Sequence, residues 1–120
     1  MIVIKLGGSS QTPEGYLNLL SKINGKTVIV VSAIKNVTNN LLDFTRNKNA
    51  KLIDTIININ KSLISNLNLN ISFFEKDINY LYTMMYKQLD LQDKINLVAS
   101  GETFTAKILN QFLKTNNINS

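Results

Sequence analysis

With 120 residues and 44% hydrophobic content, the chain can bury the core of one ordinary domain, so disorder is not its expected state. It contains no cysteine and no histidine, which excludes disulfides, thiolate metal sites, zinc centres and imidazole acid/base chemistry, and leaves only hard cations held by oxygen. The net charge of +5 would suit an anionic partner, but Arg46 is the only arginine and the lysines are scattered among Asn and Ile, so nucleic-acid binding is not expected.

Residues 2–5 (IVIK) form a short β-rich run stopped by Gly7 and Gly8, as a strand is stopped by a turn. Thr12, Pro13 and Glu14 then supply an N-cap, a proline at the first helical position and a first-turn acid, and Tyr16, Leu19, Leu20 and Ile23 keep helical spacing across 13–23. NGK at 24–26 closes this helix, with Gly25 as the expected C-cap. TVIVVSA at 27–33 is the clearest strand, and its continuous β-branched run suits a parallel strand covered on both faces. Strand, helix and strand imply a right-handed crossover.

Past a loop at 34–37, apolar spacing predicts helices over about 38–46, 51–67, 73–89 and 92–115. Two strands under four or five helices leave long sheet edges without partners, so the chain reads as the first part of a larger α/β domain, and the polar tail NNINS reads as the approach to a further strand. Alone, such a chain is expected to expose sheet edge and to associate. Neither a signal peptide nor an apolar run near the roughly 18 residues of a membrane span occurs, so a soluble, cytoplasmic protein with no membrane partner is expected.

Three stretches carry chemistry. In KLGGSS, a glycine pair after a strand permits positive φ and close backbone approach to an anion, while Lys5 supplies charge and Ser9 and Ser10 supply donors. The competing reading is a tight turn with Lys5 in solvent. In VVSAIKNVTNN, Ser32 lies at the carboxyl edge of the central strand, where open α/β sheets bind ligands, and Thr38 falls in the first turn of the next helix. Here local turn bonding and helix capping compete.

In SGETFTAK, projection with Ile95, Val98, Thr105, Ile108 and Phe112 places Glu102 within an apolar stripe, so its carboxylate is expected to face the interior and to need a cationic or donor partner. Gly101 costs a helix interior about 1 kcal/mol relative to Ala, which predicts a close approach to its backbone. A helix break at Gly101, or pairing of Glu102 with a core lysine, competes with this reading.

In this order and at these intervals the stretches resemble the amino-acid kinase family, above all the N-terminal part of aspartokinases. KLGGSS resembles the family's Lys-Phe-Gly-Gly-Thr/Ser-Ser opening, VVSAIKNVTNNLLD its Val-Val-Ser-Ala segment with Gly-Val-Thr-Asp/Asn, and ASGETFTAKIL its Ser-x-Gly-Glu helix. Leu6 stands where the family has Phe, and Asn36 where it has Gly, a substitution Asn can make because it tolerates left-handed backbone angles. The family's catalytic domains run well past this length, through a second glycine-rich segment with catalytic-site Arg and Asp and an adenine pocket.

The resemblance implies an α/β three-layer sandwich of the amino-acid kinase type, incomplete, with a short parallel sheet covered by helices and residues 1–120 forming its N-terminal portion. It implies phosphorylation of the L-aspartate β-carboxylate by ATP with Mg²⁺, the first step toward lysine, threonine and methionine. Lys5 would be catalytic, neutralising the transferring phosphoryl group; Gly7, Gly8 and Ser9 would bind phosphate; Ser32, Thr38 and Glu102 would hold the amino acid, with Glu102 on its ammonium. The partners implied are L-aspartate, ATP, and a second chain supplying the missing half or a homo-oligomer. A non-catalytic remnant or anion- or partner-binding module of the same ancestry competes with this reading. The three stretches are expected to converge around one small pocket.

Overall fold

β1 (Ile2–Leu6) leads through a short 3-10 turn at Gly8–Ser10 into α1 (Pro13–Lys22), and β2 (Thr27–Val31) returns to pair with β1 in the computed structural model, which describes residues 1–117. The pairing is parallel, with Ile2 opposite Thr27, Lys5 opposite Val30 and Leu6 opposite Val31. α1 begins as its cap signals dictate: Thr12 Oγ1 accepts from the Gly15 amide at 3.0 Å, and Pro13 needs no acceptor for a backbone N–H. Its C-cap is Ile23 rather than Gly25, which instead takes φ 68° in the turn that follows.

Four helices complete the chain: α2 (Val37–Asn47), α3 (Ala50–Asn66), α4 (Glu75–Tyr86), entered through a 3-10 turn at Ile71–Phe74, and α5 (Leu91–Thr115). α5 opens with a reciprocal capping box between Asp90 and Asp93 and acts as the spine of the molecule. It meets α1 through Tyr16 and Phe112, whose rings lie 5.5 Å apart, and the turn before α4 through an edge-on contact of Phe74 with Phe104 at 5.4 Å. Lys107 on α5 pairs with the buried Asp77 on α4 at 2.8 Å. The core these elements enclose is made by Leu19, Leu41, Phe44, Ile53, Ile56, Leu81, Leu97 and Ile108, all buried.

The sheet is covered on one face. Side chains alternate along a strand, so Val3, Lys5, Val28 and Val30 share a face, and all four are exposed, Val3 by 63% and Val30 by 47%. The expectation that 27–33 is buried on both faces is therefore corrected. The β-branched run fits burial on either side, but among the described residues no layer packs on the second face. Of the tail, Asn116 and Asn117 close α5, their amides donating to Phe112 and Lys114 carbonyls; the approach to a further strand expected there falls on residues 118–120, outside the described residues. No helix among the described residues is long and apolar enough to cross a membrane.

Candidate functional site

The three stretches meet on the loop that leaves β2. A methyl group on Gly8 would lie 3.1 Å from the Ala33 carbonyl oxygen and 3.3 Å from the Lys35 nitrogen, whose amide donates to the Gly8 carbonyl at 3.3 Å. A methyl group on Gly101 would lie 3.0 Å from Ala33 Cβ and 3.1 Å from Val37 Cγ1. Ala33 is thus held between the first glycine turn and the last helix, and each contact requires the absence of a side chain. Ser32 locks the same junction: its amide donates to the Leu6 carbonyl at 3.0 Å, and its carbonyl accepts from Thr105 Oγ1 of α5 at 2.8 Å. The approach predicted at Gly101 is this packing of α5 on the β2–α2 loop.

Around that junction the candidate side chains face outward. Lys5 is exposed on the open sheet face, one residue before the strand ends. Gly7 is extended at φ −74° and Gly8 is not left-handed either, so the positive φ expected of the pair is not used; the need for glycine at Gly8 comes from its contact with the 33–35 backbone. The Ser10 and Gln11 amides close the turn onto the Gly7 and Gly8 carbonyls, whereas the Gly8 and Ser9 amides have no partner within it. Asn36 adopts φ 76°, the left-handed geometry that lets it stand in for Gly, and Thr38, itself exposed, follows the buried Val37 in the first turn of α2.

Glu102 is exposed, which corrects its expected burial. The buried stripe of α5 runs through Leu97, Ser100, Gly101, Phe104, Thr105 and Ile108, and Ile95, used to project the stripe, is 52% exposed. A count of apolar side chains misplaces the stripe because its contact centre is Gly101, which has none. One residue further along, Glu102 is turned onto the flank. Of the other candidates only Thr38 shares a groove with it: Glu102 and Thr38 line one of about 580 Å³ between α2 and α5, with Leu42, Ile95 and Val98 and bordered by Lys94. Lys5, Gly7, Gly8, Ser9 and Ser32 do not line it, so the three stretches meet by packing at Ala33 and not around the single pocket expected. Lys94 escaped the sequence reading, although its spacing of four to Val98 and eight to Glu102 places it on the same flank.

The groove therefore combines an acid, a hydroxyl and a cation over an apolar floor, features suited to a small zwitterion. Among the described residues no three Asp or Glu side chains converge into a metal-binding group.

Neither a protein-family model nor a curated protein matches the sequence. Among solved structures, that of E. coli aspartokinase III in complex with lysine and aspartate, in its T-state, matches with a TM-score of 0.77 at 18% identity, over 99% of this chain and 30% of that one. At that identity the likeness is one of fold, and this chain spans under a third of the other's length.

Proposed function

We propose that the chain is the amino-acid- and phosphate-binding portion of an aspartokinase-like catalytic domain of the three-layer amino-acid kinase type, acting in ATP-dependent phosphorylation of the L-aspartate β-carboxylate. The observation that carries this reading is the meeting of Gly8 and Gly101 on Ala33, which gathers three motifs distant in sequence around one loop. The fold shared with an aspartokinase supports it.

Lys5, at the strand's end, neutralises charge on the phosphoryl group in flight, while the Gly7–Ser9 turn directs the Gly8 and Ser9 amides at phosphate oxygens. Glu102 pairs with the substrate ammonium and Thr38 donates to its carboxylate, the two reaching it from opposite walls of the α2–α5 groove. Ser32 borders the site and joins it to α5 through its backbone. ATP, when bound, supplies the phosphoryl group. Lys5 and the Gly8 and Ser9 amides would hold its phosphate end, and Mg²⁺ bound with it would supply further charge neutralisation there.

In this reading the adenine pocket and the remaining catalytic groups would come from a second half, supplied by another chain or a further segment, for which the open sheet face offers a packing surface. Coupled ADP release with L-aspartate and Mg·ATP, measured with that second half supplied, tests the reading. Turnover is expected, and Lys5→Ala and Glu102→Ala should each remove most of it; a normal rate in either variant defeats the role given to that residue. Phosphate binding without any turnover would favour the non-catalytic module.

A further inference from the structure

We propose that Gln11 and Tyr16 are positioning residues that hold the phosphate-binding turn in its working shape, an inference that rests on the reading of that turn given above. Gly8 is tied to the 33–35 loop, but Gly7 is the loose joint of the turn: an added Cβ there would meet nothing within 4 Å, so no side-chain packing could restrain it. The restraint comes from behind. Gln11 is 3% exposed and folds back so that Nε2 donates to the Leu6 carbonyl at 3.1 Å, bracketing residues 7–10 between its two ends. The Tyr16 hydroxyl donates to Gln11 Oε1 at 2.6 Å, and Tyr16 is wholly buried against Phe112. Gly15 completes the seat, because a Cβ there would collide with the Ser10 carbonyl oxygen.

The acceptor at the centre is shared. The Leu6 carbonyl receives both Gln11 Nε2 and the Ser32 amide, and the Ser32 carbonyl receives Thr105 Oγ1. One run of hydrogen bonds therefore links α1, the end of β1, the loop after β2 and the helix carrying Glu102. Stability does not require polar groups here, since a pair of apolar side chains of similar shape would bury as well. Directional bonds add a fixed geometry, and a turn already in its bound shape loses less freedom when it closes on an anion.

Inorganic pyrophosphate titrated into the isotope-labelled chain, followed at the Gly7, Gly8 and Ser9 backbone amides beside thermal unfolding, tests this. Gln11→Met should weaken pyrophosphate about tenfold, the loss expected when ordering moves into the binding step, and should also lower Tm, because the wholly buried Tyr16 hydroxyl loses its acceptor. Tyr16→Phe keeps the ring and its Phe112 contact, removes only the hydroxyl, and should weaken binding about threefold; it decides the matter if Gln11→Met does not fold. A wild-type chain whose turn amides do not respond would overturn the phosphate reading and this inference with it. Wild-type binding matched by a folded Gln11→Met and by Tyr16→Phe would overturn this inference alone.

Discussion

The helical body and the two-stranded sheet are built to different standards. Phe44, Phe74, Leu81, Leu97 and Ile108 are each 0% exposed, whereas of the ten strand residues only Leu6 is buried. Both regions are rich in large apolar side chains, so composition does not separate them. The difference is the number of layers available: α5 finds α2, α4 and the sheet on its several sides, while the sheet finds helices on one side only. Parallel sheets are ordinarily covered on both faces, and an open apolar face is a place for further protein.

The largest test of this contrast lies in the helical body. Phe104→Ala removes a ring that is 1% exposed and stacked edge-on against Phe74, and should cost about 3–5 kcal/mol in urea unfolding. A cost below about 1 kcal/mol would mean that the helices do not form a self-sufficient core. Gly101→Ala comes next. Its methyl group would press on Ala33 Cβ, which is fixed to the backbone, so about 1–3 kcal/mol of overpacking outweighs the roughly 1 kcal/mol gained in helix propensity. A variant more stable than the parent would show that the junction is loose.

On the sheet the expected effect is smaller and of another kind. The parent chain is expected to self-associate in sedimentation through the open face, and Val30→Lys, at a 47% exposed position, should reduce that association while changing unfolding free energy by no more than about 0.5 kcal/mol. Unchanged association would remove the open face as its cause. The smallest effect is expected at the start of α5. Lys87 donates to Asp93 at 3.0 Å, and this hydrogen bond holds the Asp93 carboxyl below its ordinary range and lifts Lys87 above its own.

The depressed carboxyl stabilises the fold above its unfolded value, near pH 4, and that contribution fades as pH falls through the lower folded value. The raised amine contributes below about pH 10.4 and fades as pH climbs through its folded value. Asp93→Asn keeps a cap acceptor, so its Tm should lie slightly below wild type at pH 7 and coincide with it near pH 2. A difference that persists in acid would assign the effect to the cap.

Much of the site could be read from local signals. Gly101 announces a close approach because a glycine inside a helix is costly without one, whereas the left-handed Asn36 is implied only by the family resemblance, in which it replaces Gly, and its side chain makes no cap hydrogen bond. Glu102 was misplaced because apolar spacing tracks side chains, and here the helix packs through a residue that lacks one. Lys94 was missed because a lone surface lysine has no signature until the opposite wall of its groove is known. Gln11 and Tyr16 were missed as a pair because a spacing of five matches neither strand nor helix periodicity; only the turn between them brings them together.

From the chain alone came the order and kind of the elements, the N-cap of α1, the absence of cysteine and histidine, and the three motifs, because each depends on neighbours within a turn or two. Tertiary structure alone decided that the motifs meet at Ala33, that one sheet face stays open and that Glu102 stands on a groove wall. Those outcomes depend on which surfaces of distant segments come into contact, and on how close a glycine lets them come.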